Sequence, residues 1–184
     1  MFSKTNSILL MLVAVIAFSF IFYGNTARAE ETNLTTSQIE SIRSSCAGTE
    51  STLGQLHSND ALLRVNVGQA YESISTRLIK RFNSRVAYNN LNNSALILAS
   101  DNYDKSLDAF RNSYRDYETS LSELIATDCQ NNPTDFYNHL IVTRDKRLAV
   151  RKNIELINGQ LQNYADNVNA FEVNYRTVAE QNES

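Results

Sequence analysis

The chain is nearly without punctuation. Its 184 residues include one proline, five glycines and no tryptophan. Glycine and proline are the strongest breakers of regular structure, so their scarcity leaves long helices as the natural reading. The usual signatures of chemistry are also missing. There is no glycine-rich phosphate loop, no Cys-x-x-Cys, no nucleophile elbow and no His-Glu-x-x-His. Glu118 and Glu123 do not fall at the Glu-x-x-His spacing of a di-iron bundle. The two histidines, His57 in "LHSND" and His139 four residues after Asp135, read as solvated or capping groups rather than ligands. No enzyme activity, cofactor or metal is expected. A basic excess is lacking too: the net charge is −3, which disfavours non-specific nucleic-acid binding.

What is present begins at the N-terminus. Ile8 to Tyr23 is sixteen residues without a charge, preceded by Lys4 and followed by "GNTARAEE". A membrane-spanning helix needs about 20 apolar residues, and a signal-peptide core about 7–15, so the run lies between the two. Ala27 and Ala29 offer the small residues a signal peptidase requires, with Glu30 next. Cleavage after Ala29 is the favoured reading and retention as an anchor the alternative. Either way residues 30–184 are expected outside the cytoplasm as one domain, secreted or tethered to the outer face of the membrane. If the segment is uncleaved, membrane contact would come only through residues 8–23. Loss of residues 1–29 removes Lys4 and Arg28 and no acid, leaving −5. No second apolar run precedes the closing "VAEQNES", which argues against a sensor domain strung between two membrane helices.

Hydrophobic spacing supplies the architecture. From Phe136 through Leu140, Thr143, Arg147 and Val150 to Tyr175 and Val178, positions step 4-3-4-3 without a slip. That is the 3.5-residue period of a coiled-coil-like helix, about 69 Å long from Pro133. Asn132, Pro133 and Asp135 form its start signal. A second stripe runs from Leu96 and Tyr103 through Leu107, Phe110, Tyr114, Tyr117 and Leu121 to Leu124, on a helix from about Ser94 to Asp128. A third carries Leu63, Val67, Ala70, Ile74, Leu78, Phe82 and Val86 between about Asp60 and Leu91. A weaker first helix bears Ile39, Ile42 and Cys46. Short connections force antiparallel neighbours, so the expected fold is all-α: an elongated antiparallel up-down helical bundle, three long helices and a shorter N-terminal one, with coiled-coil-like packing.

Cys46 and Cys129 are the only cysteines, an even pair in an expected oxidising compartment, and a disulfide is the preferred reading. With the helices of residues 60–91 and 94–128 folded back at residues 92–93, Cys129 falls level with residue 57. A first helix continued to Leu56 and folded back would hold Cys46 about 18 Å away by helix rise, beyond bridging distance. The bond therefore predicts that the first helix stops near Gly48, with a loop to Ser58; unpaired cysteines would leave it free to continue.

Arg147 stands where the heptad asks for an apolar residue. The same register places it level with Tyr114 and Tyr117 on one helix and Tyr71 and Glu72 on another, with Thr143 beside it. This layer reads first as a polar device that sets helix register, and second as a ligand pocket in a bundle core, with Glu72 or tyrosine faces as the partner of the guanidinium. Charge is also divided: residues 60–91 net +3 and residues 94–128 net −4. Arg77, Arg81 and Arg85 recur on one helix, and Arg144, Arg147 and Arg151 on the last. Inter-helix pairing accounts for this division, with an anionic surface as the alternative partner. Asn33, Asn92 and Asn182 begin N-glycosylation patterns of the kind an Asn-rich chain contains by chance.

The stretches "LHSNDALLRVNVGQAYESISTRL", "RFNSRVAYN" and "DCQNNPTDFYNHL" resemble uncharacterised exported helical proteins of Saccharibacteria-type, reduced-genome bacteria. The resemblance covers most of residues 46–171 and implies a bacterial setting but no activity. The expected function is a non-enzymatic interaction or scaffold module at the cell envelope with an unidentified protein partner, self-association being left open. A small-ligand-binding bundle using the tyrosine and arginine layer, and an envelope chaperone or coiled-coil tether, are the alternatives.

Overall fold

The structure, a computed structural model, describes residues 34–182. The apolar run 8–23 and the cleavage residues Ala27, Ala29 and Glu30 lie outside the described residues, as does Asn33. All described elements are helical: α1 (Thr36–Ser73), a π-helical segment (Ile74–Ile79), α2 (Lys80–Tyr88), α3 (Ser94–Ala126) and α4 (Pro133–Asn182). The first three join without a break into one rod.

Each rod starts and stops where local chemistry dictates. Thr35 and Gln38 form a capping box that satisfies the first free amides of α1. At the end of α2, Asn90 adopts a left-handed conformation (φ 57°), the Leu91 amide donates to the Val86 carbonyl at 3.1 Å, and the Asn90 amide donates to Ala87 at 3.0 Å. These are the two bonds of a Schellman motif, with asparagine in the position glycine usually takes. Pro133 opens α4 with Asp135 in the first turn, where a missing amide costs nothing and a negative charge meets the positive end of the helix. Thr127, just past α3, shares a 2.8 Å hydrogen bond with His139 Nδ1, so this histidine links the end of α3 to the start of α4.

Helix α3 lies at the centre. It packs along α4, while α1 packs more sparsely on α3 and touches α4 least. Its buried face is the expected stripe: Leu96, Tyr103, Leu107, Phe110, Tyr114, Tyr117, Leu121 and Leu124. On α4, Phe136, Thr143, Val150, Ile157 and Tyr164 are buried at seven-residue intervals, with Leu140, Ile154 and Leu161 half-buried between them and Val168 and Phe171 half-buried beyond. Each large apolar side chain so buried contributes roughly 1.5–3 kcal/mol. The expected stripe ends early, because Tyr175 and Val178 are exposed.

Two expectations for the first rod require correction. Gly48 does not cap a helix: α1 runs through Gly48 and Gly54, and no glycine among the described residues has positive φ. Nevertheless Cys46 and Cys129 form a disulfide, with their Cα atoms 5.7 Å apart. The expected conflict arose from assuming that the first helix folds back on the second. Because the two are one straight rod, Cys46 lies two heptads before Asp60 and reaches the α3–α4 connection without a loop.

The second correction concerns Leu78, whereas Ile74 is half-buried against the core as expected. Leu78 is 63% exposed, whereas Ser75 and Ile79 are almost fully buried. The π segment causes this. Its i→i+5 bonding, seen in the Lys80 amide donating to the Ser75 carbonyl, puts an extra residue into the turn and advances the inward face by one. Upstream the stripe is Cys46, Leu53 and Val67, and downstream it is Ser75, Ile79 and Val86. Neighbours hold this segment at its polar atoms. The Tyr103 hydroxyl donates to the Tyr71 carbonyl at 3.0 Å, Ser75 Oγ donates to Asp104 Oδ1 at 2.6 Å, and Tyr164 donates to Asn83 Oδ1 at 2.7 Å.

Candidate functional site

The seven-residue step that links Cys46, Leu53 and Val67 also passes through Asp60, so α1 presents one carboxylate from within its apolar face. Its side chain is only 14% exposed. Three groups satisfy it or its backbone. Tyr117 Oη donates to Asp60 Oδ2 at 2.6 Å, Tyr114 Oη donates to the Asp60 carbonyl at 2.9 Å, and Arg147 Nε lies 3.4 Å from Oδ2. The Asp60 carboxylate thus gains a counter-charge within its apolar face, while the Arg147 side chain, expected in the core, is 55% exposed and reaches the carboxylate from the surface. Burial pushes the Tyr117 hydroxyl well above the ordinary tyrosine range, and the hydrogen bond to Asp60 and its charge add to the shift. Tyr114 is raised by burial first and by the Glu118 charge second.

Of the six residues expected in the polar layer, Tyr114, Tyr117 and Arg147 meet around Asp60, and the other three lie elsewhere. Tyr71 donates to Asn158 Oδ1 at 3.0 Å, with its ring edge-on to Phe110. Glu72 pairs with Arg111 at the surface. Thr143 is buried against Ser120, donating to its carbonyl at 3.0 Å. The displacement comes from the α1–α3 register. Helix α2 stops at Tyr88 rather than Leu91, so Glu72 meets Arg111 rather than Tyr114, three residues along α3, and Arg147 meets Asp60 instead. Asp60 was read as a helix start; its place seven residues from both Leu53 and Val67 was the signal that it belongs to the stripe.

Because α1 and α4 both lean on α3 and hardly touch each other, a groove of about 600 Å³ opens between them. Phe110, Tyr114 and Tyr117 lie along α3; Val67 lies on α1, with Leu148, Val150 and Ile154 on α4. Four arginines line it: Arg64, Arg144, Arg147 and Arg151. Arg64 is bound to Glu118 at 2.8 Å, and its guanidinium carbon sits 5.2 Å from the centre of the Tyr114 ring, a cation–π distance. Arg144 and Arg151 form no ion pair among the described residues. Against these cations the lining holds two carboxylates, Asp60 and Glu155.

Elsewhere the charge division between the rods is used in part. Arg64–Glu118 and Lys80–Asp104 pair α1 and α2 with α3 in the expected sense, Arg111–Glu72 pairs in the reverse sense, and Lys146–Asp116 joins α4 to α3. Arg77, Arg81 and Arg85 are exposed and unpaired by any carboxylate among the described residues. Cys46, Cys129 and Glu50 bring ligand-type atoms within 4.8 Å of one another. The sulfurs are consumed in the disulfide, however, and a metal binds thiolate. Among the described residues no helix is long and apolar enough to cross a membrane.

No protein-family model, curated protein or solved structure matches the chain.

Proposed function

We propose that this protein is an exported, non-enzymatic helical module that holds a protein partner at the cell envelope, its rods arranged as an elongated antiparallel up-down bundle with coiled-coil-like packing. The observation that carries the reading is the end of α4. Its heptad stripe continues past Phe171 to Tyr175 and Val178, which are 54% and 57% exposed, with Val173 63% exposed nearby. An apolar stripe that outlasts its own bundle is a face for another helix. Export is supported by the Cys46–Cys129 bond, which persists in oxidising compartments, and by the charge and small-residue pattern around the apolar run 8–23.

The test is a pull-down from intact envelope with the wild type and with Tyr175→Asp/Val178→Asp. Both positions are exposed, so the variant keeps the wild-type melting temperature and loses the partner. Capture of the same partner by both proteins would sink the reading. N-terminal sequencing of the exported protein checks the processing step, with Glu30 expected first.

A second reading, small-ligand binding, is favoured by a separate observation: the arginine-lined groove. It lies within the size range of small-molecule sites, roughly 300–1,000 Å³, and combines apolar walls with a few convergent polar groups.

A further inference from the structure

The groove between α1 and α4 carries a chemical preference. Its walls are side chains that favour an apolar body: Val67, Phe110, Val150 and Ile154. Its polar equipment is cationic, and that equipment divides into two sets. Arg64 and Arg147 are already neutralised, by Glu118 and Asp60 respectively, and serve to hold α1 against α3 and α4. Arg144 and Arg151 stand on the same side of α4, two turns apart, with no carboxylate bound to either. Two unengaged guanidiniums beside an apolar trough match an anion attached to a hydrocarbon body, since guanidinium recognises carboxylate or phosphate through paired hydrogen bonds. Glu155, on the same helix, disfavours a highly charged anion and suits a single negative charge. The trough is open to solvent along its length, which suits an extended chain.

Resting on the ligand-binding reading above, we propose that the groove binds a single-chain amphiphile with one anionic head, the acyl chain lying against Phe110, Val150 and Ile154 and the head between Arg144 and Arg151. A free fatty acid and an alkyl phosphodiester, each with one negative charge, share this chemistry.

Isothermal titration with decanoate, decyl methyl phosphate and decanol below their aggregation concentrations tests it. Both anions are expected to bind with one-to-one stoichiometry, and decanol, with the same chain and no charge, about tenfold or more weakly. The ratio between the two anions identifies the preferred head. Arg144→Glu/Arg151→Glu should weaken both anions about tenfold or more and leave decanol unchanged, while Arg77→Glu/Arg81→Glu, in the π segment and α2, should change nothing. Leu148→Asp, at an exposed position on the groove wall, should weaken all three. With no tryptophan in the chain, tyrosine emission reports binding beside Tyr114 and Tyr117. Equal binding of decanol and decanoate, indifference to the Arg144/Arg151 reversal, or no binding of either anion overturns the proposal. A thermal-shift screen over other ligand classes separates this from failure of the groove itself: a hit lost in Leu148→Asp preserves the ligand-binding reading, and its absence removes both.

Discussion

Asp60 concentrates more of the molecule's specificity than any other residue on α1. Its carboxylate and carbonyl receive Tyr117 and Tyr114 from α3 and face Arg147 from α4, so one residue fixes three helices in register. Asp60→Ala leaves the buried Tyr117 hydroxyl without an acceptor and Arg147 without its partner. The expected loss is about 1–3 kcal/mol of unfolding free energy by denaturant titration, and Asp60→Asn should recover part of it. The tyrosines make a second prediction. Burial pushes the hydroxyl of Tyr164 up to about 12, and those of Tyr71, Tyr103, Tyr114 and Tyr117 are also raised. In the unfolded chain these groups ionise near pH 10, so above that pH the unfolded state binds fewer protons than the folded one. Their contribution is therefore intact below about pH 10 and is lost as pH rises through the folded values. Thermal melts between pH 9 and 12 should fall steeply, and Tyr164→Phe should flatten the fall.

At the scale of the helix, the first rod shows how local preference yields to packing. Gly48, Gly54 and Gly159 sit inside helices with open space where a Cβ would be, so their flexibility serves no turn and no close approach. Gly48→Ala and Gly54→Ala should each stabilise by about 0.5–1 kcal/mol, additively, in denaturant melts. The same rod marks the limit of what spacing reveals. Helices α3 and α4 were legible almost residue by residue, because each keeps a single uninterrupted period. The rod from Thr36 to Tyr88 was not, for two reasons. Two glycines mimicked a stop that covalent and tertiary contacts override. The π segment then changed the phase of the stripe between Val67 and Ile79, and a fixed period cannot anticipate an added residue. The candidate site was legible in part. Tyr114, Tyr117 and Arg147 were found because they lie on the two regular helices, and Asp60 was missed because a carboxylate at a stripe position reads as a helix start.

For the whole molecule, the disulfide is the long-range constraint. It spans 83 residues of sequence and closes them into a covalent ring. The chain-entropy estimate for a loop of that length is about 4–5 kcal/mol, so Cys46→Ser/Cys129→Ser should lower stability by an amount of that order in non-reducing melts. Adding reductant to the wild type should reproduce the effect. Beside the bond, Asp128 accepts the Gln130 and Asn131 amides at 2.9 and 3.0 Å, which holds its carboxyl below the usual range and shapes the turn that carries Cys129.

The position of that ring has a mechanical consequence. If the N-terminus is anchored and the tail of α4 is held by a partner, tension enters at Leu34 and leaves near Asn182. The shortest covalent route between them runs up the first turns of α1 to Cys46, across the sulfurs to Cys129, and out along α4. Residues 47–128, which include the π segment, Asp60 and all of α3, form a side loop off that route. Pulling would load α4, and with it one wall of the groove, while the α1 and α3 walls lie within residues 47–128 and are spared by a single bond.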